Sequence, residues 1–233
     1  MANAVQKIDT KHLLLHAAEE LFIKESYAEV STRAIAECAG VNLAAIKYHF
    51  GSKGNLFIEC IRQMFTRQQQ ERPAFKHDTL PQNQEEAAFE IARFIESFLQ
   101  DVSCADERTV CRLMYREMLG GTSTDPELSE ALVSTFVHEF IRPMDERLQH
   151  ALRLVQPALS ASEAELVVHS IVGQCSFYLT NRAFFERLRA TNFSNEETIQ
   201  RVLEHVVRFT LNGLAVDAAL IDKVLSGLKE EKL

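Results

Sequence analysis

Apolar residues recur along this chain at spacings of three and four, and strand-like alternation is nearly absent, so the pattern predicts a succession of amphipathic helices. The first stripe is Leu14, Ala17, Ala18, Leu21 and Phe22. Two short helices follow within Ser31–Cys38 and Asn42–Phe50, then a longer one from Lys53 to about Arg72, stopped by Pro73. The polar stretch FKHDTLPQNQ is the best linker. Further helices are predicted over Glu85–Val102, over Glu107–Leu119 before Gly120-Gly121, and from Pro126 to about Val155 with a kink or restart at Pro143. The last three run from Ser160 or Ser162 to about Arg189, from Ser194-Asn195 to Asn212-Gly213, and over Val216–Leu228. The fold class is all-α, with no internal repeat.

The segment from Ser31 to Phe57, STRAIAECAGVNLAAIKYHFGSKGNLF, carries the most chemistry. Ser31 or Thr32 caps a helix whose small apolar face is Ala34, Ile35 and Cys38. Gly40 supplies the left-handed residue that ends it, and Asn42 caps the next helix. Two short helices on so tight a turn predict a helix-turn-helix. On the second, Leu43, Ile46 and Phe50 fall on one side, read as core-facing, and Ala44, Ala45 and Tyr48 lie opposite, flanked by Lys47 and His49. Small residues beside a hydroxyl and cations allow close approach to base edges, with phosphates at the borders. Ser52 caps the following helix, whose amino end with Lys53 is a natural phosphate seat. The residues assigned to DNA contact are Thr32, Arg33, Asn42, Leu43, Ala44, Ala45, Lys47, Tyr48, His49 and Lys53, although Leu43 also falls on the core-facing side.

Thr32, Ile35, Ala36, Ala39, Gly40, Val41, Ile46, His49, Phe50, Ser52, Lys53 and Leu56 give this segment a resemblance to the DNA-binding domain of the TetR family of bacterial transcriptional regulators. Lys47 stands where that pattern often has Tyr, and the amino-terminal arm is only weakly basic through Lys7 and Lys11. In the second half, RLMYREM (Arg112–Met118) and HSIVGQCSFY (His169–Tyr178) resemble motifs of the CecR-like subgroup. The resemblance implies a helix-turn-helix domain over 1–57, a connecting helix over about 53–72, and a helical ligand-binding and dimerisation domain over 73–233. It also implies a homodimer on a palindromic operator of double-stranded DNA, a small-molecule effector, and target genes for efflux, transport or lipid metabolism.

Composition is compatible with that expectation. Hydrophobic residues at 46% and charged ones at 25% are ordinary for a globular chain of 233 residues. The net charge of −8 argues against a nucleic-acid binder until it is divided: residues 1–76 balance at +2, leaving −10 for the rest. No run is long and apolar enough to span a membrane, and the polar start lacks a signal-peptide layout, so no membrane partner and a cytoplasmic location are expected. Cys38, Cys60, Cys104, Cys111 and Cys175 are an odd set without a CxxC pair, read as reduced thiols. On one helix Cys104 and Cys111 would stand about 10 Å apart, beyond disulfide reach. A redox sensor is the alternative.

Bulky apolar residues with polar company on the same helices make up the ligand-binding candidates Phe94, Phe98, Met114, Arg116, Met118, Phe136, Phe140, His169, Gln174 and Phe177. Taken singly, each apolar one reads first as plain core, and Arg116 reads first as an ion pair with Glu117 or with a carboxylate on a neighbouring helix. Gly173 inside a helical pattern permits close approach of a neighbour, and with Phe184, Phe185, Leu203, Val207 and Leu211 it makes up the expected dimer face. Packing within one subunit competes here too. No HExxH, GxSxG or Gly-rich phosphate loop is present, so no catalytic residue and no cofactor is assigned. Metal binding through His138, Glu139 or His169 is the minor reading. A helical adaptor without DNA binding is the rival class.

Overall fold

A computed structural model describes residues 9–71, 79–103, 110–119 and 126–231. The described residues are helical with no strand. The helices are α1 (Thr10–Lys24), α2 (Thr32–Cys38), α3 (Ala44–Phe50), α4 (Lys53–Glu71), α5 (Gln84–Ser103), α6 (Val110–Leu119), α7 (Pro126–Phe136), α8 (Arg142–Val155), α9 (Ala161–Thr180), α10 (Arg182–Arg189), α11 (Glu196–Gly213) and α12 (Ala218–Glu230). A π turn, Val137–Ile141, joins α7 to α8, with the Arg142 N–H donating to the Val137 carbonyl. Pro143 is the physical cause: it has no N–H for the Glu139 carbonyl, and its ring crowds that carbonyl. The break predicted at Pro143 is thus a π turn, and the helical path continues through it. The long helix predicted to reach Arg189 is interrupted at Asn181 instead, between α9 and α10.

The chain forms two compact units. One holds α1 to α3, α4 through Gln68, α6, and α7 through Thr135. Its core is Leu14, Ala18 and Phe22 of α1, Ile35 of α2, Ile46 of α3, Leu56, Phe57 and Met64 of α4, and Leu113 of α6. Phe22 meets Phe57 edge-on with ring centroids 4.6 Å apart. Each fully buried side chain of this size stabilises by about 1.5–3 kcal/mol. The single cut expected near residue 73 is therefore not how the chain clusters, since α6 and most of α7 lie with the amino-terminal helices.

The other unit is built around α5, whose Ala87, Ala88, Ile91, Ala92, Ile95 and Leu99 are completely buried against α8, α9, α11 and α12. Small residues on α5 let those helices come close. Gly227 of α12 shows how close: a Cβ there would lie 2.7 Å from Cε1 of Phe89. Polar ties anchor the periphery, with Arg147 donating to Glu90 and to the Thr79 carbonyl, and Gln84 to the Val155 carbonyl.

Candidate nucleic-acid interface

The turn between α2 and α3 is built by local chemistry. Ser31 Oγ accepts from the Ala34 N–H at 3.1 Å and starts α2. At its end, Gly40 takes φ +65°, its N–H donates to the Glu37 carbonyl and the Val41 N–H to the Ala36 carbonyl. This is a Schellman closure, and a Cβ-bearing residue at Gly40 would strain it. Asn42 Oδ1 then accepts from the Ala44 N–H at 2.8 Å, opening α3. Gly51, at φ +77°, ends α3, and Ser52 Oγ accepts from Asn55 N–H at 3.0 Å. Asn55, not singled out from sequence, donates back to the Phe50 carbonyl at 2.9 Å and ties α3 to α4.

On α3 only Ile46 is fully buried. Tyr48 is 85% exposed, and Asn42, Leu43, Ala44 and Lys47 are exposed with it, while Ala45 and His49 are half-buried. Leu43 thus leaves the core-facing side assigned to it and joins the open face. Arg33 is exposed and pairs with Glu37 at 2.8 Å, which raises its pKa; so open a pair is screened by water and leaves the guanidinium available. Thr32 is half-buried. Lys11 of α1 holds its ammonium 5.9 Å from the Phe50 ring centre, adding a cation beside α3 that the sequence alone left unplaced.

Lys53 differs from its expectation. Its Nζ donates to the Tyr27 carbonyl at 2.7 Å and the Val30 carbonyl at 2.8 Å, and lies 3.9 Å from the Tyr27 ring centre. Partial burial lowers its pKa, opposed by the Glu117 carboxylate. Its donors are committed to the connection between α1 and α2, so the side chain is a brace and not an open phosphate contact. Arg116 also departs from its assignment as a ligand contact: it donates to the Phe22 carbonyl, to Ile23 at 3.1 Å and to Glu25 at 2.9 Å, all at the carboxyl end of α1. The competing account, an ion pair with Glu117, is present as well, at 3.1 Å.

The remaining candidates do not form one cluster. Phe94 and Phe98 of α5 meet with ring centroids 6.2 Å apart, and Phe136 and Phe140 5.5 Å apart, in the unit built around α5. Met114 is buried in the other unit, and the Met118 side chain lies outside the described residues. His169 and Phe177 are exposed on α9, and Gln174 is half-buried. Two clefts, one lined by His16, Glu19, Lys24 and Arg67 and another by Glu86, Phe89, Arg93 and Arg147, contain none of these candidates. Polar groups missed from sequence lie on α5: Asp101 is 1% exposed and Ser97 3%.

The dimer face is corrected in half its members. Leu203, Val207 and Leu211 are buried within their own unit, because α11 turns that stripe onto α5. Gly173 and Phe184 are exposed, and Phe185 is half-buried with its ring 5.3 Å from that of Phe177. Leu166, Leu188 and Phe209, which were not anticipated, extend the exposed apolar surface. Cys60 and Cys175 are buried, which pushes the Cys60 thiol far up and that of Cys175 up to about 12, so neither supplies a thiolate; Cys38 is exposed. Cys104 and the Cys111 side chain lie outside the described residues. Among the described residues no helix is long and apolar enough to cross a membrane, and no group of three or more His, Cys, Asp or Glu is placed to hold a metal.

Comparison with known proteins agrees with this geometry. Residues 14–60 match the family model of bacterial regulatory proteins of the tetR family, and residues 87–214 match that of the HTH-type transcriptional dual regulator CecR, C-terminal domain. A relative described as "Probable HTH-type transcriptional regulator YttP" from Bacillus subtilis is 25% identical over 131 residues, 56% of this chain, and the match spans only 59% of that protein. Among solved structures, a TetR-like transcriptional regulator from Rhodococcus sp. RHA1 superposes with a TM-score of 0.58 at 21% identity, covering 93% of this chain and 100% of that one. The fatty acid degradation regulator FadR from Bacillus halodurans does so with a TM-score of 0.61 at 12% identity, covering 91% and 100%. These two likenesses are of fold. The two family matches take in both the helix-turn-helix and most of the helices that follow it, and the chain belongs to the TetR family of transcriptional regulators, with a CecR-like carboxyl-terminal domain.

Proposed function

We propose that the chain is a homodimeric repressor in the cytoplasm, released from a palindromic operator by a small apolar or amphipathic effector. The observation that carries the DNA contact is α3: a short helix locked by a Schellman turn and an Asn cap, presenting Leu43, Ala44, Lys47 and Tyr48 to solvent. Small and apolar residues meet base edges and thymine methyls there, while Lys47, Tyr48 and Arg33, with the free amides opening α4, hold phosphates. Two such helices about a two-fold axis fit half-sites about 34–36 Å, or a multiple, apart.

The exposed apolar surface of α9, α10 and α11, with Leu166, Gly173, Phe177, Phe184, Leu188 and Phe209, supports a second copy as its cover. For the effector, the Phe94–Phe98 and Phe136–Phe140 pairs offer adaptable apolar lining, and the Ser97 and Asp101 groups on the same helix as the first pair offer polarity. The named role of the Bacillus halodurans neighbour in fatty acid degradation makes long-chain acyl compounds, with target genes in lipid handling, the effector class to test first. Ligand and DNA act reciprocally through one coupling free energy. The test is fluorescence anisotropy of protein bound to its selected operator, titrated with oleate and with palmitoyl-coenzyme A. Release at concentrations that leave non-specific DNA binding unchanged supports the acyl-responsive repressor, and retention with both compounds rejects it.

A further inference from the structure

We propose that Arg116, with Glu117, is a positioning pair that fixes the angle of the helix-turn-helix head on α6 and thereby sets which half-site spacing the protein accepts, an inference that rests on the operator-binding reading. Both residues lie in the segment matched by the carboxyl-terminal family model, yet α6 belongs to the same compact unit as the head. The last carbonyls of any α-helix lack intrahelical donors and carry the negative end of its dipole. At that end of α1 the carbonyls of Phe22 and Ile23, with that of Glu25 just beyond the helix, are taken by one guanidinium more than ninety residues further along the chain. Its planar fork of fixed donors suits that task better than a Lys point charge.

Glu117 completes the hold from the same turn of α6. Its carboxylate, 8% exposed, accepts the Tyr27 N–H at 3.3 Å and the Arg116 Nε–H at 3.1 Å. Lys53 takes the Tyr27 and Val30 carbonyls of the same connection. The connection between α1 and α2 is therefore gripped through its backbone, directly before Ser31 opens the helix-turn-helix. Backbone bonds fix direction more tightly than packing of adaptable side chains. Arg116 is one-third exposed, so water replaces its bonds when they are lost, and angular precision suffers more than the fold. A head two helix diameters deep, about 20 Å, displaces its outer face by about 3.4 Å, one base-pair step, when tilted by roughly 10°.

The experiment uses the full chain and the operator it selects, together with versions of that operator lengthened or shortened by one base pair between the half-sites. Affinities are read by anisotropy at one salt concentration. The unaltered protein is expected to discriminate between spacings by at least about tenfold. Arg116→Ala and Arg116→Lys are each expected to reduce that ratio to within about threefold, while non-specific DNA affinity and helicity by circular dichroism stay as they were. A folding defect alone lowers binding to all three operators equally and leaves the ratio intact. Unchanged discrimination in a folded variant overturns the proposal, and so does loss of helicity in both variants, because the bonds then hold the fold and not the angle. If the unaltered protein selects no paired site, the operator-binding reading itself falls, an outcome distinct from either.

Discussion

Replacing Lys53 by Met separates two roles that its position in the chain left open. Met keeps the length of the stem and removes the ammonium, which leaves the Tyr27 and Val30 carbonyls without their donor. A bond from a charged donor is worth about 1.5–3 kcal/mol net, and the cation over the Tyr27 ring adds about 0.5–1 kcal/mol. The ammonium is only partly buried and water takes over part of this, so the loss at the connection between α1 and α2 comes to roughly 2 kcal/mol. Exchange of the backbone amides over residues 25–31 should accelerate about 30-fold, since 1.4 kcal/mol is tenfold. Mass-resolved hydrogen exchange on the variant and the parent measures this. The dependence of log affinity on log salt should keep its slope, because no phosphate contact is lost. If exchange were unchanged and the slope fell by about 1.8, the value for one phosphate in each of two copies, the brace assigned here would be refuted.

Lys47→Ala should do the converse, lowering the salt slope by about 1.8 with unchanged thermal stability, as read by anisotropy across a salt series and by circular dichroism. Leu166→Glu combined with Phe177→Glu should convert the dimer to a folded monomer in sedimentation velocity; a retained dimer would move the interface elsewhere. Ser160→Ala should cost about 1 kcal/mol in urea unfolding, since Ser160 and Glu163 form a reciprocal cap at α9. The bonds from Ser160 hold the Glu163 carboxyl below its ordinary 4.5, so its contribution is present above that pH and lost as pH falls through the depressed value. Glu163→Gln should accordingly narrow the stability difference between about pH 7 and about pH 3. Under native conditions maleimide should label Cys38 while sparing Cys60 and Cys175, by peptide mass analysis, because burial keeps those two as thiols.

The parts of this protein that were legible in its sequence are those whose causes are local. Ser31, Gly40, Asn42, Ser52 and Asn195 act within a few residues of themselves, so the helix-turn-helix and the start of α11 follow from spacing alone. The ion pair of Arg116 with Glu117 follows from sequence, but the carbonyl partners of Arg116 and Lys53 do not, because backbone carbonyls have no residue identity and these lie 23 to 94 positions away. A periodic stripe on α11 marks burial but not the partner: Leu203, Val207 and Leu211 turn to α5, and Phe209, which breaks that stripe, is the exposed one. Leu43 sits at the very start of α3, ahead of the turn that would have carried it into the core. The dispersal of the ligand candidates across two units has the same origin, since α6 and most of α7 group with a head from which the whole of α5 separates them in sequence.

Selection of genomic DNA fragments by the purified full chain, at stated salt and in parallel with Tyr48→Ala, tests the central claim most directly. The account predicts enrichment of a palindromic site with half-sites one or more helical turns apart, and loss of that enrichment in a variant that remains folded, since Tyr48 is the most open of the aromatic residues on α3. Enrichment that survives the Tyr48 substitution unchanged, or recovery of no paired site by the unaltered protein, would contradict it.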